Sequence, residues 1–255
     1  MDLARLFDGL RRNDISRLLE IIVVDDGSVG TAMEPGSAVG LPVRVIKLAH
    51  HSGPNKARNI AAAEALGNYL AFFDDDAIPV PDWMSHVLPA LDGGYDAVTG
   101  PVLRFDQGLI SRARQARYDV RYSLLRHSDA VSFFAGGNSA IKTALFNELG
   151  GFSSNAVGGD NSVAQALSEA NSAVRFLPDA LILHRNGKGI RSAISNAFLA
   201  GEASCSTIRL VDRLSRIARA KGFIGQAIDE RLANGLLDMV NVLGAVRGKS
   251  KGTSR

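Results

Sequence analysis

Residues 69–76 read Tyr-Leu-Ala-Phe-Phe-Asp-Asp-Asp, an unbroken apolar run that stops at three carboxylates. A continuous apolar segment closed by polar residues is the pattern of a strand covered on both faces, as in a parallel sheet. Upstream, Glu20-Ile21-Ile22-Val23-Val24 ends in the same manner, in Asp25-Asp26-Gly27-Ser28. Between the two lie a weaker strand at 43–48 (VRVIKL) and an alanine-rich helix at 55–66, stopped by Gly67-Asn68. Strands alternating with helices in this rhythm predict an α/β fold with a mostly parallel, Rossmann-like sheet flanked by helices.

Toward the N-terminus, Leu3, Leu6, Phe7, Leu10, Leu18 and Leu19 recur near the helical period and predict an amphipathic helix over 3–19. Toward the C-terminus, 97–100 and 130–134 read as short strands flanking a helix at 109–126. A helix is expected at 140–149, closed by Gly150-Gly151, and another at 161–170; 174–177 and 180–184 are the last strands. From 190 onward the sequence is helical. A boundary near 188 therefore divides a domain at 1–188 from a helical C-terminal extension at 189–255.

The chain has 255 residues, 46% hydrophobic and 22% charged, which suits a folded globular protein rather than a disordered one. A single cysteine, Cys205, excludes an internal disulfide and any cysteine-rich zinc site. No run of about 18 apolar residues exists to span a bilayer, and the N-terminus lacks the apolar core of a signal peptide. A cytoplasmic protein is the expectation. The formal charge of +3 is unevenly spread: residues 190–255 carry 11 basic and 5 acidic side chains, whereas 1–189 carry 18 and 21.

In an open α/β sheet, ligands collect beyond the carboxyl ends of the strands. Five carboxylates on one such rim repel one another unless a positive group sits among them. A hard divalent cation, Mn²⁺ or Mg²⁺, prefers oxygen ligands and leaves positions open for phosphate oxygens. The acids thus point to a metal-dependent nucleotide or diphosphate site. A solvated acidic loop is the plainer alternative, but the position directly after YLAFF, with Pro79 and Pro81 fixing the exit, favours the site.

Three separated segments, IIVVDDGS at 21–28, SGPNKARNIAAAEALGNYLAFFDDDAIPVPDW at 52–83 and FFAGGNSAIKTALFNELGGF at 133–152, resemble in order those of glycosyltransferase family 2, the inverting enzymes of the GT-A fold. The resemblance covers about residues 3–187. It implies a sugar donor activated as a nucleoside diphosphate, usually UDP, and a divalent metal. Asp26 matches the aspartate that accepts the uracil N3–H, with Asp25 supporting the nucleoside pocket. Asp74 and Asp76 match the outer members of the Asp-x-Asp motif: Asp76 would hold the metal, Asp74 would assist, and Asp75 would lie toward the ribose. Arg58, at the start of a helix, would face anionic phosphate.

Some members place a third metal ligand where His184 ends LILHR, although a lone histidine is also read as structural. Gly136-Gly137-Asn138 resembles the acceptor-side loop, with Gly137 and Asn138 approaching a sugar; a simple turn is the other reading. Asp160, in Gly158-Gly159-Asp160-Asn161, keeps the aspartate of a Gly-Glu-Asp motif whose glutamate is here Gly159. It would be the general base that deprotonates the acceptor hydroxyl, or a helix N-cap, or both. One base suffices because a metal-neutralised nucleoside diphosphate leaves without a proton donor. Trp83 is expected to pack the helix that follows it.

The implied activity is metal-dependent, inverting transfer of a sugar to a glycan or lipid-linked acceptor, as in cell-envelope synthesis. The alternative is a non-catalytic remnant of the fold that binds a sugar nucleotide or a protein partner, because the family's valine-rich first strand, followed by Pro-Thr-Tyr-Asn, does not precede the helix at 3–19. A nucleotidyltransferase would share the acidic rim, but no glycine-rich, lysine-bearing loop lies near the N-terminus. Arg209, Arg213, Arg216 and Arg219 recur at spacings of three and four. They predict a basic amphipathic helix over 205–221 and peripheral contact with the inner face of a membrane, or else a solvated charged face. No motif for specific nucleic-acid recognition accompanies them.

Overall fold

The run YLAFF forms a strand, as its composition demands, and the rest of the first unit is arranged around it. The computed structural model describes residues 2–28, 30, 36–153, 160–187, 189–203 and 227–252. Along the chain the elements are α1 (Asp2–Arg11), β1 (Ile21–Asp25), β2 (Val43–Lys47), α2 (Pro54–Ala63), β3 (Tyr69–Phe73), β4 (Ala77–Pro79), α3 (Trp83–Asp92), β5 (Ala97–Thr99), β6 (Val102–Arg104), α4 (Leu109–Tyr122), β7 (Ala130–Val131), β8 (Asn138–Lys142), α5 (Thr143–Glu148), α6 (Asp160–Glu169), β9 (Val174–Phe176), β10 (Ile182–His184), α7 (Ile190–Ala203) and α8 (Ile228–Gly252).

The fold class is α/β, with mixed rather than mostly parallel pairing. Five strands form one sheet in the order β3-β8-β5-β9-β7. Strand β8 runs antiparallel to both neighbours, with Phe73 opposite Asn138 and Thr99 opposite Ser139. Parallel pairing is kept by β5 with β9 and by the separate pair β1 with β2.

The helix expected at 140–149 is therefore a strand up to Lys142 and a helix from Thr143. Of the residues of β8 only Ile141 favours a strand, and asparagine, alanine and lysine do not, but propensity is a weak prior. Here β3 and β5 offer backbone partners on both sides, and the first four residues of β8 are buried. Thr143 ends the strand: its N–H donates to the Asn68 carbonyl at 2.9 Å and its hydroxyl to the Gly67 carbonyl at 2.6 Å.

The helix expected over 3–19 ends at Arg11. Asn13 stops it. Its carboxamide donates to the Gly9 carbonyl at 3.0 Å and the Val80 carbonyl at 2.9 Å, and accepts the Met84 N–H at 2.9 Å. A buried asparagine committed to the first turn of α3 cannot also continue a helix. Leu6, Phe7 and Leu10 are buried on α1 as the pattern predicted, whereas Leu19, beyond the stop, is exposed.

The first unit has an aromatic centre. Phe72, on β3, meets the rings of Phe134, Phe146 and Phe152 at centroid distances of 6.0, 5.2 and 5.0 Å. Tilted and edge-on pairs of this kind add about 0.5–1.5 kcal/mol each to the burial of their surface. They fasten the strand that carries Asp74 at its end.

The second unit gathers α4, α7 and α8. Its core is made of Ile110, Ala113, Ala193, Ala233 and Leu237. Gly201 of α7 and Gly244 of α8 have no room for a Cβ against the backbones of Asn241 and Phe198, so the two helices approach through small residues. Cys205 and the basic segment at 205–221 lie outside the described residues, as does the side chain of Asp160. Among the described residues no helix is long and apolar enough to cross a membrane.

Candidate metal and donor site

The chain leaves β3 at Phe73 and turns at once: the Ala77 N–H returns to the Asp74 carbonyl at 3.0 Å, and β4 begins. Strand β4, which the sequence reading did not separate from the loop, pairs antiparallel with β10 and sets His184 opposite Ala77. That register brings the imidazole beside the preceding acid. Nε2 lies 2.9 Å from Asp76 Oδ1 and 3.4 Å from Asp74 Oδ2. From α2, Arg58 donates through Nη2 to Asp74 Oδ1 at 2.6 Å, and its guanidinium lies 5.5 Å from the centre of the Phe152 ring.

Asp76 is buried, His184 largely so, and Asp74 stays open on one side. Burial opposes ionisation of Asp74, but the His184 hydrogen bond and the Arg58 charge outweigh it and hold the carboxyl at about 2. Burial likewise lowers His184, while hydrogen bonds and charge from Asp74 and Asp76 push it up to about 10. The cluster thus stabilises positive charge between two carboxylates.

Gly137 belongs to this site in a different way from its expected acceptor role. A Cβ there would stand 2.5 Å from Asp74 Oδ2, so the glycine makes room for that carboxylate. One ligand atom each from Asp74, Asp76 and His184 lies within 4.8 Å of the others, close enough to share one ion. Two carboxylate oxygens and an imidazole nitrogen form a donor set that fits a divalent metal.

The other acidic strand end is satisfied differently. Asp25 is buried and accepts the Ser28 N–H at 2.8 Å, which lowers its carboxyl below the usual range. Asp26 accepts the N–H groups of Ser52 at 2.6 Å and Gly53 at 2.7 Å, and the exposed His51 ring stands 2.9 Å away. Asp26 thereby fixes the loop that enters α2. Asp75 is exposed between its two neighbours.

Asn138 does not face a ligand. It is fully buried; its oxygen accepts the Trp83 Nε1–H at 2.8 Å, and its amide donates to the Pro101 and Ala180 carbonyls, both at 2.9 Å. The acceptor-binding role expected of this side chain is corrected to a structural tie, because its polar atoms are used inside the protein. Trp83 is packed, as expected.

Two residues that sequence reading passed over hold the segment leading toward α6. Asn59 accepts the Phe152 N–H at 2.9 Å and donates to the Phe152 carbonyl at 2.7 Å; one turn earlier, Asn55 donates to the Ser153 carbonyl at 3.0 Å. Gly151, at φ +70°, leaves no space for a Cβ against the Asn59 oxygen. Asparagines four apart on an alanine-rich helix were the available signal. Helix α6 begins at Asp160, the expected base.

Comparison with solved structures gives the same fold. A mannosyltransferase, PcManGT, from Pyrobaculum calidifontis, in complex with GDP-Man and Mn²⁺, is 19% identical with a TM-score of 0.59, over 99% of this chain and 71% of that one. S. aureus TarS 1–349 is 14% identical with a TM-score of 0.56, over 100% of this chain and 88% of that one. GalNAc-T7 with UDP, GalNAc and Mn²⁺ is 17% identical with a TM-score of 0.55, over 69% of this chain and 39% of that one. No curated protein sequence matches the chain. The family model described as "Glycosyl transferase family 2" matches residues 2–150, more than half of the length, and ends close behind the β8 and α5 region. With the GT-A-like fold and the Asp-Asp-His cluster already in view, that match makes the chain a member of glycosyltransferase family 2.

Proposed function

We propose that this chain transfers a sugar from a nucleoside diphosphate donor, UDP-linked by the family resemblance, to an acceptor hydroxyl with inversion at the anomeric carbon. The observation that carries this reading is the convergence of Asp74, Asp76 and His184 beside Arg58. Asp74, Asp76 and His184 would hold a divalent cation, which would supply positive charge to offset that of the departing nucleoside diphosphate. The imidazole in the donor set favours Mn²⁺ over Mg²⁺.

The remaining roles belong to the chain itself. Arg58 keeps Asp74 ionised and adds positive charge near the donor's phosphates. Asp160, at the start of α6, takes the proton of the acceptor hydroxyl; Asn55 and Asn59 hold the backbone that leads toward it. The donors named with the solved neighbours, GDP-Man, UDP and UDP-GlcNAc, support a nucleotide-sugar substrate. A glycan or lipid-linked hydroxyl is the acceptor class the family resemblance suggests.

The test is isothermal titration of UDP with and without Mn²⁺, followed by UDP release from UDP-sugars. Mn²⁺-dependent binding is expected, together with turnover that falls at least about 100-fold in Asp160→Asn. Failure to bind UDP or GDP at millimolar concentration with Mn²⁺ present overturns the reading. Full turnover in Asp160→Asn removes that residue from the role of base.

A further inference from the structure

Helix α8 carries an apolar stripe that none of the contacts described above uses. Ile228, Leu232, Leu236, Met239, Leu243 and Val246 are between 40% and 75% exposed. Their spacings of four, four, three, four and three keep all six within about 80° of the helix circumference and extend the stripe for about 27 Å. The opposite side of α8 is the one that packs, through Ala233, Leu237 and Ala245. An exposed apolar band of this length on a soluble helix marks an interaction surface.

The charges around the stripe identify the partner. All three acids of α8 are held by arginines of α4: Arg112 pairs with Asp229 and with Glu230, the latter at 3.1 Å, and Arg117 pairs with Asp238 at 2.9 Å. The basic residues lie on the borders of the stripe, Arg231 and Lys249 along one side and Arg247 along the other, and all three are exposed. The outward side of α8 is therefore apolar at its centre and cationic at its edges. A second copy laid antiparallel on the stripe would set Arg231 against Lys249 along the border they share, so repulsion there opposes self-association. An anionic lipid surface complements both the centre and the edges.

We propose that α8 lies in the plane of an anionic phospholipid surface, with Leu232, Leu236, Met239 and Leu243 entering the headgroup–acyl boundary. The helix does not cross the bilayer. This puts a membrane contact on residues 228–249, and it stands independently of the catalytic reading because no donor or metal takes part.

The experiment is flotation of the full chain with phosphatidylcholine vesicles and with vesicles containing 30% phosphatidylglycerol. Binding to the anionic vesicles at 50 mM salt is expected, weakened at 500 mM salt by screening. Leu236→Glu/Leu243→Glu should lower binding at least about tenfold, and Arg231→Glu/Lys249→Glu by about fivefold or more per residue. Both pairs are on the surface, and unchanged circular dichroism and melting confirm that the variants fold. Absence of binding by the unaltered chain overturns the proposal. So does full binding by Leu236→Glu/Leu243→Glu, which would move the contact elsewhere. A dimer in light scattering that this variant dissociates would assign the stripe to a second copy and equally overturn it.

Discussion

After β3, Asp74 and Asp76 meet two side-chain cations, Arg58 and His184, brought from α2 and β10. After β1, Asp25 and Asp26 meet chiefly backbone amides, those of Ser28, Ser52 and Gly53, with the exposed His51 ring beside Asp26 as a side-chain partner. In the sequence the two places look alike, an apolar run followed by two or three consecutive aspartates. Backbone amides consume the carboxylate oxygens and fix a loop. Side-chain cations instead surround a spot where a mobile divalent ion can compete for the same oxygens. The partner type, more than the number of acids, distinguishes the proposed metal site from the other strand end.

The sharpest way to break this contrast is to neutralise one acid at each place. Asp76→Asn should weaken Mn²⁺ binding at least about 100-fold and abolish transfer, because it removes a buried ligand. Asp25→Asn should leave the Mn²⁺ titration within about twofold. Equal losses in calorimetry would mean that both strand ends serve the metal.

A smaller effect is expected from Gly137→Ala, which puts a methyl group against the Asp74 carboxylate. The displaced side chain should cost about tenfold in Mn²⁺ affinity, and overpacking about 1–3 kcal/mol in stability. Retained affinity would show that Asp74 is dispensable to the ion. The smallest effect belongs to Asp26→Asn. It loses one charge-assisted acceptor for the Ser52 or Gly53 N–H and should lower stability by about 1–2 kcal/mol in urea denaturation, with Mn²⁺ binding unchanged. A loss of Mn²⁺ affinity there would erase the distinction between the two ends.

What the sequence disclosed depended on how local the cause was. Strands β1 and β3 and helix α2 follow from runs of adjacent residues and were legible. Helix α1 was read too long because Asn13 ends it through Val80 and Met84, partners far along the chain. Strand β8 was read as helix because its neighbours β3 and β5, not its own residues, make it a strand. Within the site, the triplet and Arg58 could be named from motif and spacing. The buried state of Asn138 could not, since Trp83, Pro101 and Ala180 come together only in the folded chain.

The antiparallel register of β4 with β10 joins Ala77 to His184 and is the step that completes the proposed ligand set. A polypeptide leaving the ribosome carries its aspartates long before its histidine, and the pairing of such distant segments forms late. Capture of a divalent ion at the proposed site should therefore ripen only once β10 has docked, which would make such an ion a reporter of that late pairing.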